Sequence, residues 1–320
     1  MRIVFAGTPE FAVPSLRALV AAGHEVVGVV TREDAPLGRK RVLTPSPVAV
    51  AAEELGIPVL RANRLDDAAT AWVADLDPEL GVIVAYGGLV RDPLLTLPTH
   101  GWINLHFSEL PRWRGAAPVQ RALAAGEQTL GVTVFRLVAA LDAGDVLTRD
   151  AREFPAGTSA GQALTELAEF GTTAVLDAVA LLAADPTAGE PQTGAESYAH
   201  KLTREDGRVD VSQGAAEVLA HWAGVTPEPG AYALHDEQPL KLLELAPLGD
   251  AADRASAGSA PAGDPLENAA GPGTVTMQGG RAVLHTGAGS LALVRVQPAG
   301  KPAMEASAWL RGRGGRVVLS

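Results

Sequence analysis

The sequence predicts an α/β fold, with a Rossmann-like, mostly parallel sheet followed by a smaller domain of short strands that suits a barrel. Three observations predict it. Near-continuous apolar runs alternate with helical segments in the first half of the chain, as expected for parallel strands covered on both faces. Closely spaced short strand patterns replace them in the last third. A stretch rich in Pro, Gly and polar residues separates the two patterns.

Composition limits the class of protein. A chain of 320 residues suits two domains, and a hydrophobic content of 47% describes a globular protein with an ample core. The absence of cysteine excludes disulfides, thiolate nucleophiles and Cys-ligated metal sites. The N-terminus begins as a strand rather than as a signal peptide, and no uninterrupted apolar run reaches about 18 residues. We therefore expect a cytoplasmic protein with no membrane span.

The first predicted elements form a strand–helix–strand unit. Arg2–Ala6 and Glu25–Val30 are predicted strands, and Phe11–Ala22 is a predicted helix that ends at Gly23. Such a unit implies two parallel strands with a right-handed crossover. The loop after the first strand holds one glycine, Gly7, so neither a dinucleotide fingerprint nor a phosphate-binding P-loop is present.

Polar residues mark the ends of two further predicted strands. Asn104 and His106 end one of them, and their spacing of two puts both side chains on the same face. The other, Gly81–Ala85, runs into Tyr86 and Gly87. Ligands of open α/β sheets bind outside the carboxyl ends of the strands, so these corners are candidate walls of one crevice. A core aromatic followed by a turn glycine is the alternative interpretation of the second corner.

The predicted domain organisation is a catalytic domain over 1–188, a linker over 189–205 and a second domain over 206–320. A long helix is predicted over 158–185, interrupted at Gly171. The residues over 249–273, rich in Ala, Gly, Ser and Pro, predict a mobile loop. The predicted strands of the second domain are Gly230–His235, Pro239–Leu245, Thr274–Gln278, Arg281–His285 and Leu291–Val296, with Gly279-Gly280 as a hairpin turn.

The charge balance opposes nucleic acid as a partner. The net charge is −11, whereas binding of nucleic acid depends on Lys and Arg contacts with phosphate. Local basic clusters could overcome this repulsion, although short clusters are more often ordinary solvated surface. One cluster lies in an early loop and the other in the C-terminal tail. Their members are Arg39, Lys40 and Arg41, and Lys301, Arg311, Arg313 and Arg316.

Several motifs resemble one enzyme family. Residues 104–120 read Asn-Leu-His-Phe-Ser-Glu-Leu-Pro-Arg-Trp-Arg-Gly-Ala-Ala-Pro-Val-Gln. This run resembles the active-site loop of the formyltransferases that use 10-formyltetrahydrofolate. The opening Gly-Thr-Pro-Glu-Phe-Ala-Val-Pro and the late Gln-Pro-Ala-Gly-Lys-Pro-Ala-Met resemble the same family, so the likeness covers nearly the whole chain. It implies a formyltransferase domain followed by an OB-like β-barrel that binds tRNA.

The resemblance also implies an activity and a catalytic set. The enzyme would transfer the formyl group of 10-formyltetrahydrofolate to the α-amino group of methionyl initiator tRNA, giving formylmethionyl-tRNA for translation initiation. Asn104 and His106 match catalytic positions. Asp142, in Leu-Asp-Ala-Gly-Asp, matches the aspartate that pairs with the catalytic histidine, although two Asp flanking a Gly are ordinarily turn residues. We expect a monomer.

The reaction explains why these three groups suffice. An amine attacks the formyl carbon, a tetrahedral oxyanion forms, and the folate nitrogen leaves. Asn104 can donate an N–H to the oxyanion. Protonated His106 can donate alongside it, or His106 can shuttle the amine proton to the leaving nitrogen. Asp142, if close, raises the pKa of His106 and fixes its ring.

The resemblance extends to residues that bind the two substrates. The family surrounds the folate with the corner after one strand and with a loop that usually reads Ser-Leu-Leu-Pro, whose first Leu is a Glu here. We therefore expect folate contacts from Tyr86, Gly87, Ser108, Glu109, Leu110 and Pro111. Arg39 matches an arginine that touches the tRNA acceptor stem, with Lys40 and Arg41 beside it.

Two other functions remain open. One is the same formyl transfer with another amine acceptor, such as a nucleotide-sugar or glycinamide ribonucleotide; the basic loop and the barrel favour tRNA, because a small acceptor needs neither. The other is a non-catalytic protein that binds tRNA or a nucleotide, which the catalytic set argues against. No His-Glu-x-x-His motif or His cluster predicts a bound metal, and no Gly-x-Ser-x-Gly elbow predicts a serine hydrolase.

Overall fold

The computed structural model of the chain describes residues 1–38, 40–248 and 270–320. Arg39, predicted to touch tRNA, lies outside these ranges, and so does most of the predicted loop over 249–273. Two compact units divide the chain. One holds Met1–Pro118, Thr129–Arg152 and Leu164–His200, and the other holds Val119–Gln128, Glu153–Ala163 and Lys201–Ser320. The predicted boundaries after 188 and before 206 stay a prediction.

Alternating strands and helices make up most of the first unit. In chain order the elements up to residue 200 are β1 (Arg2–Gly7), a 3-10 turn (Glu10–Ala12), α1 (Val13–Ala21), β2 (Glu25–Thr31), β3 (Ala35–Leu37), β4 (Val42–Thr44), α2 (Pro47–Glu54), β5 (Val59–Arg61), α3 (Asp67–Asp75), β6 (Leu80–Val84), a 3-10 turn (Leu94–Thr96), β7 (Trp102–His106), β8 (Arg114–Gly115), α4 (Pro118–Ala124), β9 (Thr129–Arg136), β10 (Val146–Glu153), α5 (Ala160–Ala184) and β11 (Tyr198–Ala199). Local signals fix individual helix starts. At α2, for example, Ser46 accepts a hydrogen bond from the Ala49 N–H at 3.0 Å and Pro47 takes the first helical position.

Seven strands form one sheet in the order β10-β9-β7-β6-β1-β2-β5. β1 is parallel to β2 and β6, and β7 is parallel to β6, whereas β9 is antiparallel to β7. The predicted Rossmann-like, mostly parallel sheet is therefore confirmed. The strand order reverses between β1 and β6, and ligands of such sheets bind at the carboxyl ends beside this reversal. His106 is the last residue of β7, and the Tyr86-Gly87 corner follows the end of the adjacent β6.

The apolar runs place β1 and β6 at the centre of the sheet. Every residue of β6 is buried, and so is every residue of β1 after the first. On one face, Val4, Val30, Ile83 and Trp102 belong to a single buried cluster. The Trp102 indole N–H donates to the Leu94 carbonyl at 2.8 Å, which satisfies its one polar atom inside the core.

The long helix predicted over 158–185 exists as α5, but the predicted interruption at Gly171 is wrong. α5 runs unbroken through Gly171. A Cβ there would lie 3.0 Å from Cδ2 of Leu105, so the glycine permits close packing of α5 on β7. Among the helices that the structure describes, α5 alone is long and apolar enough to cross a membrane by length and composition. Core helices meet the same criterion, and Leu167 and Val179 of α5 are buried.

The second unit contains an antiparallel sheet. Its elements from residue 201 onward are a 3-10 turn (Glu205–Gly207), α6 (Ala215–Val225), β12 (Tyr232–His235), β13 (Gln238–Pro247), β14 (Thr274–Gln278), β15 (Arg281–His285), β16 (Ser290–Pro298), β17 (Met304–Glu305), α7 (Ala306–Arg311) and β18 (Arg316–Val318). The strand order is β12-β13-β16-β15-β14-β18, with β17 paired to β16. The sheet curls into a half-barrel, which is consistent with the predicted OB-like fold.

Residues with left-handed backbone conformations form the tight turns of two hairpins in this sheet. β14 and β15 have their predicted bounds, and Gly279 and Gly280 between them have φ of 53° and 80°. Asp236 and Glu237 join β12 to β13 with φ of 49° and 61°. Two left-handed residues in succession match the twist of a tight hairpin. The sequence did not predict α6, whose Trp222 packs in the core and donates its indole N–H to Leu242 at 2.8 Å.

Candidate active site

His106 and Asp142 come together at the carboxyl end of β7. The Nδ1 atom of His106 lies 4.0 Å from Oδ2 of Asp142, and only 7% and 12% of the two side chains are exposed. Charges at this depth interact more strongly than they do in water. Phe135 of β9 packs edge-on against the imidazole, with ring centroids 6.4 Å apart. The structure thus brings together the imidazole and the carboxylate that the sequence predicted to pair.

The second ring nitrogen of His106 fixes the tautomer. Nε2 lies 2.9 Å from the carbonyl oxygen of Trp113. A carbonyl can only accept, so Nε2 carries the hydrogen. Burial lowers the pKa of His106 below its ordinary 6.5, although the Asp142 carboxylate and the Trp113 carbonyl oppose that shift. The lowered pKa favours the neutral ring at pH 7, in which Nε2 is the donor and Nδ1 is an acceptor that faces Asp142.

Asn104 lies two residues before His106, opposite Phe135 of β9 and Ile83 of β6. Its side chain is half-exposed, whereas the neighbouring Leu105 is buried. The twofold period of the strand turns its carboxamide to the face that carries the imidazole. Within the parts of the chain that the structure describes, no hydrogen bond engages that carboxamide. Its N–H groups are available to an oxygen atom of a ligand.

Gly115 orients the carboxylate of Asp142. The Gly115 N–H donates to Oδ2 of Asp142 at 2.7 Å. Gly115 has φ of 118°, in a region that favours glycine, and a Cβ there would lie 2.8 Å from the Ala199 carbonyl. Asp142 has φ of 45°, which an aspartate tolerates better than most residues. The glycine of the Arg-Trp-Arg-Gly motif is therefore required for the contact that aims the carboxylate.

Residues 197–199 hold the loop that follows His106. The N–H of Trp113, a residue with φ of 61°, donates to Oγ of Ser197 at 2.9 Å. The Arg114 N–H donates to the Ser197 carbonyl at 2.8 Å, and β8 and β11 pair in parallel. The sequence had assigned Ser197 to a linker. Strands of two residues are too short for a periodic signal, so the pattern could not reveal this pairing.

At the Tyr86-Gly87 corner, main-chain atoms rather than the tyrosine ring are accessible to a ligand. Tyr86 is 1% exposed and belongs to the core, where its hydroxyl donates to the Ala62 carbonyl at 2.6 Å. Its carbonyl accepts from Oγ1 of Thr8 at 2.9 Å, which ties the corner to the end of β1. Gly87 has φ of 80°, and a Cβ there would contact nothing within 4 Å. A folate contact at this corner would therefore involve main-chain atoms.

The loop predicted to bind folate is mostly turned into the protein. Ser108, Leu110 and Pro111 are buried, whereas Glu109 is exposed. The Ser108 hydroxyl donates to the Arg112 carbonyl at 2.6 Å. The stem of Glu109 lies over β9, because a Cβ at Gly131 would fall 2.2 Å from its Cγ. The folate role of these residues stays a prediction.

Thr133 anchors this loop, and sequence reasoning missed it. The residue is fully buried on β9. Its hydroxyl donates to the Ser108 carbonyl at 2.6 Å and accepts from the Leu110 N–H at 3.2 Å. One side chain therefore ties two points of the loop to the sheet. Threonine is an ordinary strand residue, so no sequence signal distinguished it.

Lys40 and Arg41 of the early basic cluster lie at the tip of the β3–β4 hairpin. Leu37 pairs with Val42 across the tip, and the Arg41 N–H closes it by donating to the Gly38 carbonyl at 3.1 Å. Lys40 and Arg41 are exposed, and Leu37 and Val42 are 66% and 60% exposed. Arg39, the third member of the cluster, lies outside the described residues. The tip presents cationic and apolar side chains to solvent.

Other histidines take part in local hydrogen bonds. His285 has Thr276 at Nε2 and Ser290 at Nδ1, and His221 lies against the Asp206 carbonyl. Over residues 1–38, 40–248 and 270–320, no group of three His, Asp or Glu side chains is arranged to hold a metal ion. Among the histidines whose contacts are described, His106 alone pairs with a carboxylate at the end of a parallel strand.

Comparisons with known proteins match both parts of the chain. The family model for formyl transferase matches residues 1–179, and the model for the formyl transferase C-terminal domain matches residues 201–314. The chain is 52% identical to the methionyl-tRNA formyltransferase of Leifsonia xyli subsp. xyli over the full length of both proteins. It is 53% identical to the methionyl-tRNA formyltransferase of Clavibacter sepedonicus, over 98% of this chain and 97% of the relative.

A solved structure shares the fold at lower identity. The crystal structure of HypX from Aquifex aeolicus in complex with tetrahydrofolic acid is similar with a TM-score of 0.61 and 18% identity. The similarity covers 97% of this chain and 47% of HypX, so the chain spans about half the length of that protein. At this identity the likeness concerns the fold alone.

Proposed function

This chain belongs to the formyltransferase family, and from that premise we propose the residues that carry out its reaction. It is an enzyme that transfers the formyl group of 10-formyltetrahydrofolate to the α-amino group of methionyl initiator tRNA. The proposed catalytic group is Asn104, His106 and Asp142. The observation that carries it is the 4.0 Å approach of the buried His106 Nδ1 to Asp142 at the end of the strand that also holds Asn104.

His106 acts first as a base and then as an acid. The attacking amine, with an unperturbed pKa of about 7.7–8.0, is partly neutral near pH 7 and loses a proton as it bonds to the formyl carbon. Nδ1 of the neutral imidazole accepts that proton, and the imidazolium then faces the Asp142 carboxylate. The ring passes the proton to the departing folate nitrogen. The neutral resting ring supports this shuttle over donation from a ring already protonated at the start.

Asn104 stabilises the charge that develops on the formyl oxygen. Its half-exposed carboxamide donates an N–H to the oxyanion of the tetrahedral intermediate. A donor held in place before the reaction costs no reorganisation when the charge appears, and such donors contribute about 10²–10³-fold in rate. The strand supports this role because hydrogen bonds to β6 and β9 fix the backbone of Asn104 on both sides.

The folate co-substrate binds at the carboxyl ends of β6 and β7. The residues proposed to contact it are Tyr86, Gly87, Ser108, Glu109, Leu110 and Pro111. Gly87 supports this placement, since no heavy atom lies within 4 Å of the position a Cβ would take there. The anchored main chain of residues 108–111 gives the co-substrate a fixed edge to bind.

The tRNA meets the protein through the hairpin tip and the second domain. Lys40 and Arg41 are exposed, and with Arg39 they concentrate positive charge in a chain of net charge −11. Residues 206–320 form the proposed tRNA-binding domain, joined to the catalytic domain over 1–188 by residues 189–205. The enzyme acts as a monomer in the cytoplasm, a reducing compartment that suits a chain with no cysteine.

A formylation assay tests this assignment. The purified protein is given 10-formyltetrahydrofolate and initiator tRNA charged with methionine, and formylmethionine is measured. An amino nucleotide-sugar and glycinamide ribonucleotide replace the tRNA in control reactions. We expect rapid formylation of the charged tRNA alone. Faster formylation of either small acceptor would reject the tRNA assignment and keep the formyl-transfer core.

A further inference from the structure

The segment over 186–199, which the sequence assigns largely to a linker, is bonded to the active site at several points. The Arg136 Nε–H donates to the Ala188 carbonyl at 2.7 Å. Glu190 and Val146 exchange two main-chain hydrogen bonds of 2.8 and 2.9 Å. Farther along, Ser197 holds the loop that carries Trp113. The segment therefore has a fixed path past the Asp142 loop.

Both the nitrogen and the oxygen of the Gln192 carboxamide form hydrogen bonds along this path. Its Nε2 group donates to the Asp142 carbonyl at 2.8 Å and to the Gly144 carbonyl at 2.9 Å. Its Oε1 accepts from Nη2 of Arg114 at 2.7 Å and from Nε at 3.3 Å. A carboxamide has two N–H donors and two acceptor positions, so every one of them is occupied. The reversed amide would place its N–H groups against the Arg114 guanidinium and its oxygen against the two carbonyl oxygens.

Arg114 connects the Gln192 carboxamide to its own sequence neighbours, Trp113 and Gly115. The carbonyl of the preceding Trp113 accepts from His106, and the N–H of the following Gly115 donates to Asp142. Its third nitrogen, Nη1, pairs with Glu196 at the surface, and 12% of the arginine side chain is exposed. Arg114 thus fixes Gln192 relative to the loop that touches both members of the His–Asp pair.

We infer that Gln192 is a positioning residue, which holds the left-handed turn at Asp142 against the Arg114 loop so that the carboxylate stays beside His106. This inference rests on the proposed function, because it needs Asp142 to act on His106. The Asp142 turn has φ of 45°, and no side chain other than Gln192 donates to its carbonyl among the described contacts. Freed from that donor, the turn relaxes and the carboxylate leaves its place at 4.0 Å from Nδ1.

The test is a double-mutant cycle between Gln192 and Asp142. Gln192→Met keeps the length of the side chain and removes its hydrogen bonds. We expect kcat to fall between about 10- and 100-fold, the scale of a misplaced catalytic group, with little change in KM for either substrate. Asp142→Asn keeps the backbone carbonyl and removes the charge. In the Asp142→Asn background, Gln192→Met should cause no further loss.

Two further variants separate positioning from general stability. Gln192→Glu keeps the acceptor for Arg114 and removes both donors to the Asp142 turn, so it should show the same loss of kcat even if Gln192→Met folds poorly. Gln162→Met is the matched control, because Gln162 accepts two hydrogen bonds from Ser159 at the start of α5. It should lower the melting temperature and leave kcat unchanged.

The outcomes distinguish this inference from the proposed function. Full activity of Gln192→Met, or an equal loss with and without the Asp142 carboxylate, would overturn the inference alone. Full activity of Asp142→Asn would overturn the proposed catalytic role of Asp142, and the inference with it. A loss in Gln192→Met that vanishes in the Asp142→Asn background is the expected result.

Discussion

Two loops of the first unit are proposed to contact the two substrates, and they are built in opposite ways. The reaction loop, residues 107–117, is tied down along its length. Thr133 holds its first half, Ser197 and Ala199 hold its second half, and Gly115 within it donates to Asp142. The basic hairpin, residues 35–44, shows only exposed side chains over 35–38 and 40–43. Its described main-chain bonds run between its own strands.

The difference follows from what each loop is proposed to do. Proton transfer requires atoms held to within a fraction of an ångström, because a misplacement of 1 Å can cost about 100-fold in rate. Attraction between cations and tRNA phosphates acts over a longer range and tolerates side-chain motion. Hydrogen bonds to neighbouring elements therefore concentrate on the reaction loop, whereas the hairpin carries its charges at an exposed tip.

Loss of a catalytic side chain should have the largest effect. His106→Ala should lower kcat by at least about 100-fold, because a positioned acid–base group contributes about 10²–10⁴-fold. Asn104→Ala should lower kcat by about 10²–10³-fold through loss of the oxyanion donor. Single-turnover formylation with both substrates saturating measures each effect. A variant that formylates tRNA at the normal rate would remove its residue from the mechanism.

Two glycines test the contrast between the loops directly. Gly115→Ala places a Cβ 2.8 Å from the Ala199 carbonyl at φ of 118°, so it should lower kcat more than about 10-fold and destabilise the fold. Gly38 has φ of 68°, and a Cβ there would have no neighbouring atom within 4 Å. Gly38→Ala should therefore lower the free energy of unfolding by about 1–2 kcal/mol and leave kcat unchanged. Urea unfolding and formylation kinetics measure both. Equal losses of kcat would break the comparison.

Removal of charge from the hairpin should act on tRNA alone. Replacing Arg39, Lys40 and Arg41 together with Ala should raise KM for tRNA several-fold and leave KM for folate unchanged. Each of these cations that binds a phosphate should account for about 0.7–0.9 of the salt slope of binding, so the slope should become shallower by that amount per cation removed. The measurement is KM for charged tRNA at several salt concentrations. An unchanged slope would identify the cluster as ordinary solvated surface; Arg204→Ala, an exposed arginine elsewhere, is the control.

The smallest effect concerns stability against pH. Burial lowers the pKa of His106 in the folded chain. As the pH falls, the unfolded chain therefore binds a proton at this histidine at a higher pH than the folded chain does. This contribution to the free energy of unfolding is fully present above pH 6.5 and is lost as the pH falls through the lower, folded pKa. Urea titrations between pH 7.5 and 5 measure it, and His106→Asn should flatten the curve. An identical pH dependence in both proteins would contradict the burial effect.

The sequence predicted the elements whose signals are local. Apolar runs located β1, β2 and β6, and Gly279-Gly280 located a hairpin with the correct bounds at both strands. The spacing of Asn104 and His106 placed them on one face. These features depend on a few neighbouring residues, so periodicity and turn chemistry suffice to find them.

Interactions between residues distant in sequence stayed hidden. Gln192, Ser197 and Thr133 have no motif and act through residues 23 to 84 positions away. Gly171 suggests a helix break by composition, but close packing against the Leu105 side chain favours a glycine at that place. The pairing of Asp142 with His106 came from family resemblance, since two Asp around a Gly predict only a turn.

The protonation of His106 tests the central claim most directly. The protein is prepared with ¹⁵N in both ring nitrogens of histidine, and the His106 signals are identified by their loss in His106→Asn. We expect a neutral ring at pH 7 in the free enzyme, with hydrogen on Nε2 and an unprotonated Nδ1 toward Asp142. A doubly protonated ring, or hydrogen on Nδ1 alone, would contradict the proposed base and the shuttle built on it.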